Sequence, residues 1–156
     1  MNISSSDIAD MISANSSITK LVLRQMALDS NAAMNLAIGL GNNRTLINLD
    51  LRDNHSLGEP GVAALAMANI KALQVLNLYN TNSGHIGGLR TIRDLIAHTP
   101  SLIDVQLSGE GVTVPLSPEW EAAVQEIVAA SEMNKMNRAR EKLKKVMDSK
   151  EKGEKK

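Results

Sequence analysis

A nine-residue pattern of apolar residues recurs along this chain and restricts the folds open to it. The best copy, Leu46 to Asn54, has leucines at its first, fourth and sixth positions and asparagine at its ninth. The copies begin at Ile18, Leu46, Leu73 and Leu102, so successive copies are 28, 27 and 29 residues apart. A near-constant period in this range is typical of a solenoid. The sequence therefore predicts four stacked repeats.

Each repeat is expected to contain one strand and one helix. The centre of each copy alternates apolar and polar residues, which is typical of a half-buried strand. Between copies, apolar residues spaced by three and four predict helices over residues 31–40, 61–70 and 86–97. The first of these would place Met34, Leu36, Ala37 and Leu40 on its inner face. We expect an α/β solenoid in which each unit is a strand, a turn, a helix and a turn.

The two ends of the array need different coverings. Residues 1–17 are predicted to be an N-terminal capping half-repeat, with Ser4 to Asp7 starting a helix that carries Ile8, Met11 and Ile12. The alternative is that a longer array has lost its upstream part. Residues 18–116 hold the four repeats. Residues 117–148 are predicted to form a C-terminal capping helix, whose apolar stripe is Trp120, Val124, Ile127 and Val128.

The C-terminal residues differ in charge from the rest of the chain. Residues 132–156 contain ten Lys or Arg and five Asp or Glu, whereas the preceding residues contain seven and twelve. Met136, Ala139, Leu143 and Val146 continue a helical spacing, so the helix is expected to extend as a charged arm before a disordered basic tail at 149–156. The arm is interpreted as solubilising, with docking on a partner or on anionic lipid as the alternatives.

The repeats resemble the ribonuclease-inhibitor type of leucine-rich repeat in period, in the core pattern and in the helix that follows Gly61. That resemblance implies an α/β leucine-rich-repeat solenoid with parallel strands on a concave face and helices on a convex face. It also implies that the asparagine at the ninth position closes the turn after the strand. Only Asn54 fills this position. Met26, Thr81 and Glu110 replace it in the other copies, so those turns are expected to be irregular.

Chemistry-bearing patterns are missing from the sequence. There is no cysteine, and His55, His85 and His98 lack the spacing of metal ligands. The glycine-rich stretch from Ser83 to Gly88 has neither a P-loop lysine nor a dinucleotide fingerprint. We expect no catalysis, no metal and no cofactor.

The outward side chains of parallel strands should form columns about 4.8 Å apart per step, and these columns are the predicted partner-binding surface. The residues selected are Lys20, Arg24, Asn48, Asp50, Arg52, Asn77, Tyr79, Asp104 and Gln106. In the last column, two arginines beside the only tyrosine match the composition of a binding hot spot, and this column could read a carboxylate or an acidic peptide.

The leading functional hypothesis is a cytoplasmic, monomeric module that binds a protein of unknown identity on its concave face. Fold-level resemblance suggests a bacterial effector acting in the host cytosol or a cytosolic adaptor. The alternatives are an actin regulator similar to tropomodulin, a GTPase regulator, and a membrane-surface adaptor using the basic C-terminal helix. Nucleic-acid binding is not expected, because the net charge is zero and aromatic stacking groups are scarce.

Overall fold

A computed structural model describes residues 4–83, 86–107 and 118–153, and in them helices and strands alternate along the chain. The helices are α1 (Ser5–Ala14), α2 (Ser30–Asn42), α3 (Gly58–Met67), α4 (Ile86–His98) and α5 (Pro118–Gly153). The strands are β1 (Lys20–Val22), β2 (Asn48–Asp50), β3 (Val75–Asn77) and β4 (Asp104–Gln106). All neighbouring strands pair in parallel, in the order β1, β2, β3, β4. The fold is the predicted α/β repeat array.

The apolar positions of the repeat form the core. In the second copy Leu46, Leu49 and Leu51 are at most 2% exposed, and the corresponding leucines of the third copy are buried equally well. The outer copies are less enclosed, since Leu21 and Val105 are only partly buried. Each repeat buries its leucines against the next, so the middle of the stack is the best packed.

Helix α3 differs from the prediction in its bounds, and helix α2 differs in its buried face. Helix α3 runs from Gly58 to Met67, earlier than the predicted 61–70, although Ile70 is buried in the loop that follows. Met34 was expected on the inner face of α2 but is 56% exposed, and Ala33, one residue earlier, is fully buried in its place. Small side chains let α2 approach its neighbours closely, so an alanine takes the contact position.

Asn54 closes a turn in the preceding repeat as well as its own. Its buried amide oxygen accepts hydrogen bonds from the backbone N–H groups of Met26 and Leu28, both at 3.0 Å. Its amide nitrogen donates to the carbonyl oxygens of Leu23 at 2.9 Å and Leu51 at 2.8 Å. The role that the resemblance implied for Asn54 therefore extends across two repeats.

The turns after β1, β2 and β3 share one backbone feature. The residue before the ninth position is left-handed in each: Gln25, Asp53 and Asn80 have φ of 56°, 60° and 56°. Thr81 takes the ninth position after β3, and its hydroxyl donates to the Leu78 carbonyl at 2.7 Å, as Asn54 does to Leu51. These turns are more alike than their sequences predicted, while Glu110 lies outside the described residues.

Helix α1 covers the first edge of the array. Ser4 and Asp7 form a capping box at its N-terminus. The helix packs so closely on α2 that a Cβ atom added at Gly39 would lie 2.6 Å from the carbonyl oxygen of Ala9. Ile8 and Ile12 are buried in this contact, whereas Met11 is 41% exposed.

Helix α5 covers the last repeat with part of its length. Ile127 is 4% exposed as predicted, but Val128 is 49% exposed and does not belong to the buried face. The side chains of Trp120 and Val124 lie outside the described residues. The helix continues to Gly153, beyond Ser149 where a disordered tail was expected.

Asparagines fasten the helix ends together at both sides of the array. The Asn43 amide nitrogen donates to the carbonyl oxygens of Ile12 at 2.7 Å and Asn15 at 2.9 Å. The Asn134 amide nitrogen donates to those of Ile96 at 3.1 Å and Thr99 at 3.3 Å. Ile96 and Thr99 occupy the same places at the end of α4 as Ile12 and Asn15 do at the end of α1. The first half of α5 therefore takes the position of the fourth-repeat helix.

Candidate functional site

The strand register places the predicted partner-binding residues in columns on the open face of the sheet, which is the face away from the helices. Lys20 pairs with Asn48, Asn48 with Val75 and Val75 with Asp104 in the first column. Two residues further along, the second column contains Val22, Asp50, Asn77 and Gln106.

The third column continues beyond the strands as assigned. The Gln25 N–H donates to the Arg52 carbonyl at 3.1 Å, and the Asp53 N–H donates to the Tyr79 carbonyl at 3.1 Å. These bonds bring Arg24, Arg52 and Tyr79 together at the carboxyl ends of the strands. Ser108, which has the corresponding position in the fourth copy of the repeat, lies outside the described residues.

Arg52 is bound to Asp50 within its own strand. The arginine Nε donates to both carboxylate oxygens at 2.9 Å, and its Nη2 also donates to Oδ2. Burial of Asp50 favours the neutral carboxyl, but the hydrogen bonds and positive charge of Arg52 outweigh burial and lower the pKa of Asp50. Asp50 therefore stays ionised and holds the guanidinium against the sheet.

Arg24 is held by a carboxylate from the next repeat. Its Nε lies 2.6 Å from Oδ2 of Asp53, and the other oxygen of Asp53 accepts a hydrogen bond from Asn80 at 2.9 Å. The Asn80 amide and then Arg24 lower the pKa of Asp53. This chain of contacts joins three successive repeats. Asp53 and Asn80 were missing from the predicted site, although their places just before the ninth position of the repeat could have shown that they adjoin it.

A second polar chain crosses the other half of the face. Asn77 donates to the Gln106 side-chain oxygen at 2.6 Å, and Gln106 donates to Asp104 at 3.2 Å. The Asn77 amide oxygen also accepts the Tyr79 backbone N–H at 3.0 Å. Side chains from β3 and β4 are thereby fixed in position by one another.

The open face is electrically balanced and has an apolar patch. It has three cations, Lys20, Arg24 and Arg52, and three anions, Asp50, Asp53 and Asp104. Val22 is 52% exposed in the second column, and Val75 is half-buried in the first. A face of this kind can contact a partner through hydrogen bonds and aliphatic surface. It is poorly suited to an added isolated carboxylate, because both arginines already contact one.

A groove of about 590 Å³ lies at the opposite edge, where the strands begin, next to the second half of α5. Its lining includes Thr19, Ile47 and Gln74, which directly precede β1, β2 and β3, together with Arg44, Lys71 and Arg138. These residues were not among the predicted site residues, because no pattern within the repeat brings α5 to this edge.

Nothing in the described part of the chain forms a metal site, since no three histidines or acidic residues are grouped to hold an ion. His98 Nδ1 lies 2.8 Å from the Asp94 carbonyl oxygen at the end of α4. Across the described ranges, no helix combines the length and apolar character that a membrane crossing requires.

Comparisons with known proteins show similarity at the level of fold. No protein-family model matches the chain, and no curated protein sequence does. The structure is similar to actin-binding site 2 of leiomodin-1, with a TM-score of 0.68, 18% sequence identity, 91% of this chain covered and 80% of that one. It also aligns with the tropomodulin C-terminal domain of Caenorhabditis elegans, with a TM-score of 0.49, 11% identity and coverages of 89% and 98%.

Proposed function

We propose that this chain is a non-catalytic protein-interaction module that contacts its partner with the open face of the sheet, and that actin is the partner. The observation that carries the choice of actin is the likeness to leiomodin-1 actin-binding site 2, which includes 91% of this chain. Of the functions considered from sequence, the tropomodulin-like alternative therefore has better support than an effector or adaptor. The effector and GTPase-regulatory alternatives gain nothing from the fold, which hosts many functions.

The geometry of the open face supports binding by a preorganised surface. Arg24, Arg52 and Asn77 are held by contacts within or between repeats, so little side-chain entropy would be lost on binding. Arg52 uses Nε and Nη2 for Asp50, and its Nη1 group retains N–H donors for a partner. Arginine and tyrosine are the residue types in which binding energy concentrates. We also infer that the repeats are of the ribonuclease-inhibitor type, and that the protein is a monomer located in the cytoplasm.

The test is a pair of open-face variants, R52E and Y79A, measured for binding to monomeric actin and for sedimentation with actin filaments. Each should weaken binding at least about tenfold, as truncation of a hot-spot residue does. R90E is the matched control, because Arg90 is exposed on α4 and changes charge by the same amount. R52Q removes the positive charge without adding a negative one and serves as a second open-face variant. Circular dichroism checks that each variant folds.

Two results would overturn different parts of this proposal. If the wild-type chain binds neither form of actin, then actin is the wrong partner. If it binds actin and the open-face variants bind equally well, then the surface is wrong.

A second function, attachment to an anionic membrane surface, is favoured by a specific feature of α5. Leu143, Val146 and Met147 are each more than half exposed, and Lys142, Lys144 and Lys145 lie among them. Basic helices with exposed apolar side chains bind anionic lipid surfaces. Sedimentation with phosphatidylserine vesicles tests this second function. The wild-type chain should pellet with the vesicles, and L143E should remain in the supernatant.

A further inference from the structure

The groove at the strand-start edge has a charge that the open face lacks. Arg44 comes from the loop after α2, Lys71 from the loop after α3 and Arg138 from α5. Glu141 is the one carboxylate among the described residues of the lining. Three different elements thus bring three cations and one anion to the same cavity.

None of these three cations forms an ion pair with a carboxylate within the described ranges. Arg44 is positioned by its Nη1 group, which donates to the carbonyl oxygens of Gly41 at 2.7 Å and Asn43 at 3.1 Å. Its Nε and Nη2 donors are left for another acceptor. By contrast, Arg24 and Arg52 on the open face each contact a carboxylate of this chain.

Three backbone carbonyls at the starts of the strands already have hydrogen-bond partners. The Thr19 carbonyl oxygen already accepts the N–H groups of Ile47 and Asn48, at 2.8 and 3.0 Å. The Ile47 and Gln74 carbonyls each accept two N–H groups from the following strand in the same way. These three carbonyls are therefore not available to a ligand, and the charged side chains of the lining select an anionic one.

A buried hydroxyl adds a polar group to the lining. Ser101 lines the groove, and its Oγ has no hydrogen-bond partner among the described residues. Unpaired buried hydroxyls are unfavourable, so a ligand acceptor reached by rotation of this side chain would relieve the cost. The groove spans at least the two strand steps from Thr19 to Gln74, about 10 Å, which is roughly three residues of extended chain.

We propose that this groove binds an extended acidic peptide segment of a partner protein, with Arg44, Lys71 and Arg138 contacting its carboxylates. The acidic ligand considered for the open face from sequence fits this groove better, because the cations here are not already paired. The inference is independent of actin as the open-face partner.

The test uses the full chain and a fluorescein-labelled peptide of about six glutamates, long enough to span the groove. Fluorescence anisotropy should show binding that weakens at least about tenfold in the K71E/R138E double variant. The control, K142E/K144E, makes the same change of charge on the exposed part of α5 outside the groove and should alter affinity by less than about twofold.

A variant of opposite sign separates a specific site from general attraction between charges. E141Q removes the carboxylate in the groove and should tighten peptide binding about two- to threefold, whereas D148N removes one elsewhere on α5 and should not. The proposal is overturned if wild type does not bind the peptide, or if both double variants lose affinity equally. It is also overturned if phosphatidylserine vesicles or inorganic phosphate bind through Lys71 and Arg138 while the peptide does not.

Discussion

The two ends of the repeat array are fastened by the same contact, yet the chain continues differently after it. At the first end, Asn43 donates to carbonyls at the end of α1, and the chain turns at once into β2. At the last end, Asn134 donates to carbonyls at the end of α4, and the helix simply continues to Gly153. One asparagine ends its helix and the other lies inside a longer helix. This difference separates the part of α5 that completes the fold from the part that is free to contact other molecules.

The largest effect is expected from N43A. Asn43 is 3% exposed, and besides its two donor bonds its amide oxygen accepts the N–H groups of Thr45 at 2.8 Å and Leu46 at 2.6 Å. Alanine would leave all four backbone groups without this partner. We expect a loss of about 3 kcal/mol in the free energy of unfolding, measured by urea denaturation.

The matched control for N43A is N42A, because Asn42 is the exposed neighbour at the end of the same helix. It should change stability by less than about 0.5 kcal/mol. Equal losses in the two variants would show that helix propensity, rather than the fastening of α1 to α2, determines the result.

A smaller loss, about 1 kcal/mol, is expected from N134A, because within the described residues this half-buried side chain acts only as a donor. Water can reach the carbonyls that it leaves. Its third contact, to the Leu102 carbonyl at 2.9 Å, reaches the start of the fourth repeat. N137A, one turn along at an exposed position, is the control. Hydrogen exchange should increase in α5 and at the end of α4. An increase confined to α1 and α2 would contradict the assigned role.

The comparison also shows which features sequence could predict. The burial of Leu49 and Leu51 and the hydrogen bonds of Asn54 were predictable, because the repeat pattern determines them within a short segment. The choice between Met34 and Ala33 was not, because adjacent helix positions differ by about 100° and the distance to the neighbouring helix decides which side chain fits. The pairing of Arg24 with Asp53 depends on a left-handed turn residue and on stacking between repeats, neither of which the pattern specifies.

The role of Asn134 had a signal that the repeat period hides. Ile127, Ser131 and Asn134 have the spacing of Leu36, Leu40 and Asn43, and both sets are buried or half-buried. No strand pattern follows Asn134, so a search for whole repeats passes over it. A search for the helix pattern alone would have found the fourth-repeat helix in α5. It would also have shown that the part of α5 needed by the fold ends near Asn134.

The smallest effect is expected from removing the end of α5. Every residue of α5 after Glu141 whose side chain is described is exposed, including Leu143 at 61%. A chain that stops at Glu141 should therefore keep its free energy of unfolding within about 0.5 kcal/mol, as surface changes usually do. A chain that stops at Ala130 loses Ser131 and Asn134 and should be destabilised at least as much as N134A. If the chain that stops at Glu141 is destabilised as much as the chain that stops at Ala130, the exposed end of α5 belongs to the fold. If stopping at Glu141 leaves the free energy of unfolding unchanged while vesicle binding is lost, the residues after Glu141 are free to contact a partner surface.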